Sequence, residues 1–177
     1  MVNPDKTVFP PMAQSRSNRR TAKRIAPVLA QVPGLRYGVL DELVGYALRR
    51  AQLRIYQDFD EAVQTWGITP PRFAALTLIC HNTDLKLTDL AYAMGIARSG
   101  AVEVVNALET QGYVRRDPCA TDARAYVLSL TSEGKVAYQQ MEAAVRAHDQ
   151  HISAVLTSKE QLELIRLLGK LGQSTSL

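Results

Sequence analysis

The sequence predicts a mainly α-helical fold with a small β-wing, a winged helix-turn-helix, and two observations within Leu87 to Thr131 lead to it. The first is a pair of short helical patterns: Leu87, Leu90, Ala91 and Met94, then Ala101, Val104, Val105 and Leu108, parted by Gly95 and Ile96. Ala91 is small where two helix backbones must approach, and Gly95 stands where a tight corner needs φ above zero. The second is a pair of strand patterns. Gly112 closes the second helical pattern, then Tyr113 and Val114 and, further on, Tyr126, Val127, Leu128 and Leu130 form two β-prone runs around the turn-forming stretch Asp117 to Ala123.

The remaining elements fall around this unit. Residues 1–36 read as a basic, flexible arm rich in Pro, Ser, Asn and Arg, without apolar periodicity. Val39 to Trp66 reads as one long helix, because Leu40, Val44, Ala47, Ala51, Ile55, Phe59, Ala62 and Trp66 lie near a single stripe and Gly67 ends it. Thr69 before Pro70 marks an N-cap with proline in the first turn, opening a helix through Phe73, Leu76, Leu78 and Ile79 that closes near His81 to Asp84. After the wing, Thr131 with Glu133 and Gly134 opens a helix to about Leu156. Ser158 with Gln161 reads as the capping box of a last helix through Leu162, Ile165, Leu168 and Leu171. The chain thus divides into the arm, a DNA-reading unit over 67–130, and outer helices over 37–66 and 131–177 whose apolar stripes need partners.

Composition bounds the class. A chain of 177 residues with 46% hydrophobic residues suits one compact domain. No apolar run approaches the ~20 residues of a membrane-spanning helix, and no apolar signal core follows the N-terminal charges, so a cytoplasmic protein is expected. The net charge of +4 is unevenly placed: residues 1–24 hold six basic residues against Asp5, leaving fifteen basic and sixteen acidic residues elsewhere. An arm of this kind suits phosphate tracking or entry into a minor groove, or is a passive leader. Two cysteines give neither a disulfide framework nor zinc-finger spacing, with Cys80 expected in the core and Cys119 exposed at the wing turn. Neither a nucleophile elbow nor a P-loop occurs. His148 and His151 lie three apart, but Asp149 falls on another face and no second pair follows, so neither an enzyme nor a metal site is expected.

Taken together, LTDLAYAMGIARSGAVEVVNALETQGYV, RRDP, Asp122-Ala123-Arg124 and the Leu130 to Gly134 run LTSEG resemble the MarR family of bacterial winged-helix transcription regulators. Flanking helices extend the likeness over most of residues 38–171. The resemblance implies a homodimer joined through the N- and C-terminal helices, reading a pseudo-palindromic DNA duplex. It also implies an effector cavity between the dimerisation helices and the reading lobe. Arg124 matches the family's wing-tip arginine and Asp122 the acid that orients it.

On the outer face of the second helix of the motif stand Arg98, Ser99, Val102, Glu103 and Asn106. A major-groove reader needs hydrogen-bonding side chains there, and a helix N-terminus also favours phosphate. Val102 suits a thymine methyl. Glu103 departs from the family's basic or hydroxyl residue; it must accept from a cytosine amine, pair with Arg98 or Arg115, or remain solvated. Arg115 and Arg116 suit phosphate contact or a surface ion pair with Asp117, and an arginine at position 124 can enter a narrow minor groove.

For the effector, the family's cavity would be bordered by segments carrying Tyr46, Arg49, Arg50, Arg54, Tyr56, Trp66, Arg72, Phe73 and His81. Rings that stack and guanidinium groups that pair with an anion suit an aromatic carboxylate or a phosphate-bearing thioester. VGYALRRAQLRIYQDF, Val44 to Phe59, further resembles the subgroup that senses hydroxycinnamoyl-CoA thioesters. The implied effector is p-coumaroyl-CoA, feruloyl-CoA or a related aromatic acid, acting on a repressor. A constitutive DNA-binding module and a cysteine-based redox regulator are the alternatives.

Overall fold

A computed structural model describes residues 32–119 and 122–173, with the backbone alone at 122–124. Most of the basic arm and the side chains of Asp122 and Arg124 therefore lie outside the described residues. The elements run α1 (Val44–Ala62), α2 (Pro70–His81), α3 (Leu87–Ala93), α4 (Arg98–Thr110), β1 (Val114–Cys119), β2 (Asp122–Leu130), α5 (Ser132–Ser153) and α6 (Ser158–Gly172), with 3₁₀ turns at Gly38–Glu42 and Gln64–Trp66.

The single helix expected over Val39 to Trp66 is split. Leu43 is extended (φ −93°, ψ 114°), separating the first 3₁₀ turn from α1. At the other end the fully buried Val63 leaves helical geometry (φ −114°, ψ 16°), and the chain tightens into a 3₁₀ turn before Gly67 turns left-handed at φ 58°. Tightening of the last turn is a common way to satisfy the free carbonyls of a helix end.

Two caps also differ from expectation. Thr69 has N-cap backbone geometry but its hydroxyl makes no capping bond, so the start of α2 rests on Pro70 and Pro71. The capping box of α6 is formed by Thr157 and Glu160, one residue earlier than expected: Thr157 N–H donates to the Glu160 carboxylate at 2.8 Å and Glu160 N–H to the Thr157 hydroxyl at 3.3 Å. A carboxylate at this position also opposes the positive helix end, which a neutral amide cannot do. Gln161 instead donates to the Ser153 carbonyl at 3.1 Å.

The helix-turn-helix corner is as expected, with Gly95 at φ 63° between α3 and α4. The strands pair antiparallel from Val114 opposite Leu130 to Pro118 opposite Tyr126, and the register shifts between Pro118 and Cys119. A bridge from Lys86 to Val127 and a Leu128 N–H to Leu85 carbonyl bond of 2.9 Å tie the wing's base to the start of α3. Where β2 meets α5, the Thr131 hydroxyl donates to the Gly112 carbonyl at 2.6 Å and accepts from Gly134 N–H at 2.9 Å. Gly134 must be glycine: a Cβ there would stand 2.0 Å from the Tyr113 carbonyl oxygen.

One core, including Leu76, Leu90, Val105, Leu108, Leu128 and Met141, joins α2 to α5 and the wing. The two cysteines exchange their expected places. Cys80 is exposed because it lies on the outer face of α2 while its neighbour Ile79 turns into the core, and Cys119 is buried because the register shift turns it inward. In contrast, α6 buries no residue in this chain. Leu162, Ile165 and Leu171 are 71%, 69% and 52% exposed, and at the start of α1 Val44 is 65% exposed, so the outer stripes lie open.

Candidate functional site

The amphipathic pattern of α4 fixes what it presents. Ala101, Val105 and Leu108 face the core, which leaves Arg98, Ser99, Glu103 and Asn106 exposed and Val102 half-buried on the other side. Ser99, Val102, Glu103 and Asn106 succeed one another at helical spacing and form a stripe. Arg98, Ser99 and Glu103 have no side-chain hydrogen bond or ion pair among the described residues. Glu103 therefore pairs with neither of the arginines considered for it.

The two wing arginines are engaged differently from each other. Arg115 Nε donates to Asp117 at 3.0 Å and to the Ser129 hydroxyl at 3.1 Å, the surface pair expected. Arg116 instead reaches back to α4: one guanidinium nitrogen donates to Asn106 Oδ1 at 2.8 Å and the other lies 2.9 Å from Glu109. Ser129 also donates to Asp117, and this bond first, the Arg115 guanidinium second, holds the Asp117 carboxyl below its ordinary value of 3.8. A depressed folded value means that the carboxylate's hold on the wing is present at and above pH 3.8 and is lost as pH falls below it. An NMR titration should accordingly place the Asp117 midpoint under 3.8, and a midpoint at or above that value contradicts the network.

A cavity of about 420 Å³ opens between α2 and α5, lined by residues including Phe73, Thr77, His81, Tyr138, Val145 and Arg146. Phe73 and Tyr138 stack with centroids 6.0 Å apart and planes 20° from parallel. A ring nitrogen of His81 meets the Tyr138 hydroxyl at 3.3 Å. Burial raises the Tyr138 phenol above its ordinary value, so it stays neutral. Arg146, exposed and hydrogen-bonded to Glu142 at 3.0 Å, stands at the rim. The cavity falls in the size range of small-molecule sites, with an aromatic wall and a polar side where Arg146 stands with the carboxylates Glu142 and Asp149.

Of the residues expected to border an effector, only Phe73 and His81 meet here. Arg54 pairs with Asp58 at 3.4 Å beside a separate cavity between α1 and α5. Arg50 lies over the Tyr37 and Tyr46 rings, 5.9 and 5.8 Å from their centroids. Arg49 and Tyr56 each bond Gln52 on the exposed surface of α1. Trp66 lines a hollow with Tyr113 and Val136, and Arg72 is half-buried in α2 without lining the aromatic cavity. Tyr138 and Arg146 were missed. Their signal was the spacing of Tyr138, Glu142 and Arg146, four apart along α5. His148 is buried edge-on against Phe59, 5.6 Å between centroids, and no cluster of three metal-ligating side chains occurs among the described residues.

An exposed helix at the end of a tight two-helix corner, joined to a two-stranded wing, defines a winged-helix DNA-binding protein. Residues 66–125 match the MarR family. Over 151 residues the chain is 36% identical to a Thauera aromatica protein assigned to transcriptional regulation of the hcr operon, covering 85% of this chain and 91% of that one. It is 30% identical over 132 residues to the Mycobacterium tuberculosis repressor Rv2887, covering 75% and 95%. Among solved structures it resembles the transcriptional repressor CouR bound to a 23-mer DNA duplex (TM-score 0.75, 32% identity, 78% of this chain and 99% of that one). CouR bound to p-coumaroyl-CoA is similar at TM-score 0.74 and 31% identity, covering 80% and 99%. The chain belongs to the MarR family and is a transcriptional regulator. No helix among the described residues is long and apolar enough to cross a membrane.

Proposed function

We propose that the protein is a cytoplasmic homodimeric repressor that holds a pseudo-palindromic operator and releases it when an aromatic acyl-CoA thioester enters the cavity between α2 and α5. The aromatic wall of Phe73 and Tyr138, with Arg146 at its rim, carries this reading. The ring would stack on the wall, and the guanidinium would take an anionic group of the thioester. The CouR complexes with DNA and with p-coumaroyl-CoA support it. Residues 67–130 form the reading unit, 37–66 and 131–177 the dimerisation region, and the basic arm adds phosphate contacts. Arg98, Ser99, Val102, Glu103 and Asn106 face the major groove, Arg115 and the wing-tip Arg124, oriented by Asp122, serve the flank, and Glu103 accepts from a cytosine amine.

The thioester is tested directly. At a hundredfold its Kd, p-coumaroyl-CoA or feruloyl-CoA should stabilise the protein by about 2.7 kcal/mol, seen as a rise in Tm, and should release a duplex selected by the protein from a random pool. Release by free p-coumarate, with no effect of either thioester, replaces this reading with an aromatic-acid sensor. No response to any of the three leaves a DNA-binding module without this effector.

A further inference from the structure

We propose that Arg116 is a positioning residue that sets base preference: by engaging Asn106 Oδ1 it leaves the amide to read chiefly through its donors, which selects guanine rather than adenine. The inference rests on the reading of α4 as the major-groove helix. An arginine has donors only, so the oxygen of the Asn106 amide must be the atom turned toward Arg116, as the 2.8 Å bond to Oδ1 has it. The same guanidinium is anchored on Glu109, 2.9 Å away and three residues further along α4, so the fork grips two side chains of one helix face. The pair is only partly exposed, with side-chain accessibilities of 34% and 27%, which limits competition from water.

The consequence is chemical. An asparagine pairs with adenine through both ends of its amide, the oxygen accepting from N6 and the nitrogen donating to N7. With one lone pair of Oδ1 taken by Arg116, the acceptor end of the amide is engaged while both Nδ2 hydrogens have no partner among the described residues. Among the bases, guanine alone presents two adjacent acceptors, O6 and N7, in the major groove, whereas adenine sets a donor beside its N7. Asn106 lies in the same stripe as Ser99, Val102 and Glu103, and is exposed on the surface those residues share. A wing arginine thereby acts on specificity without itself touching a base.

The test is selection of duplexes from a pool randomised over the half-site, using the full chain. The base pair that Asn106 faces is identified as the one where Asn106→Ala loses discrimination. There the wild type should prefer guanine over adenine by about fivefold or more. Arg116→Met frees Oδ1 and should raise adenine to parity or above at that pair alone. If Arg116→Met melts too early for selection, Arg116→Lys replaces it, since one ammonium cannot hold Asn106 and Glu109 together as the fork does. An adenine preference in the wild type overturns the proposal. So does a guanine preference unchanged in the Arg116 variant, which with uniformly weaker binding would make Arg116 a phosphate contact. So does an Asn106→Ala variant with no altered position. Failure of the wild type to enrich any duplex would instead overturn the reading on which the proposal rests.

Discussion

Leu162→Glu combined with Ile165→Glu should convert the protein to a monomer and weaken operator binding by roughly 10²- to 10⁴-fold, the range by which joining two binding units raises avidity. In this chain α6 buries none of its fifteen residues, yet carries a row of apolar side chains and a complete capping box. A lone helix of that length is marginal in water, so its stability must come from tertiary or quaternary packing of the apolar row. The exposed start of α1, with Val44 and Leu48 open, supplies a second apolar surface of the same character. A second copy of the chain would cover both at once, and two symmetric reading heads would then match the proposed pseudo-palindrome. Sedimentation and fluorescence anisotropy check the two halves of this expectation. A variant that stays dimeric, or a monomer that binds the full operator with unchanged affinity, would remove α6 from the interface.

The reading unit was legible because its signals are local. Gly95 stands at a corner that needs a left-handed residue, and the change from helical to alternating periodicity after Gly112 marks the wing within a few residues. The caps show where local pattern stops deciding. Thr157 with Glu160 and Ser158 with Gln161 fit the same spacing, and the choice between them falls to the carboxylate's charge at the helix end. The exchange of Cys80 and Cys119 has a different origin, since burial at the end of a helix and next to a strand irregularity depends on what packs alongside. The cavity is the least local feature. Phe73 and Tyr138 are brought into a stack from α2 and α5, whereas the arginines of α1, expected to border the cavity and pair with an anion, are spent on Tyr46, Gln52 and Asp58.

Arg146→Gln should raise the concentration of aromatic CoA thioester needed for release while leaving operator binding intact. Among the described residues Arg146 is hydrogen-bonded only to Glu142, one turn earlier on α5, and its side chain is 73% exposed. Exposed pairs at that spacing contribute little to stability, so the fold should tolerate the change. A contact from that guanidinium to an anionic group of the ligand, added to the ring's packing on Phe73 and Tyr138, should be read as a loss of ligand affinity when the arginine is removed. Glu142 must give up the arginine when such a ligand arrives, and the exposed rim lets water take over its solvation. Phe73→Leu should weaken the same ligand by removing the ring that stacks with Tyr138, without touching a charge. A ligand shifts the balance between free and DNA-bound states only through its unequal affinity for them, so loss of its contacts leaves the unliganded protein's operator affinity unchanged. Calorimetry with p-coumaroyl-CoA and anisotropy on the operator separate the two activities. An Arg146→Gln protein that still releases DNA at the wild-type thioester concentration would move the anion site away from this rim.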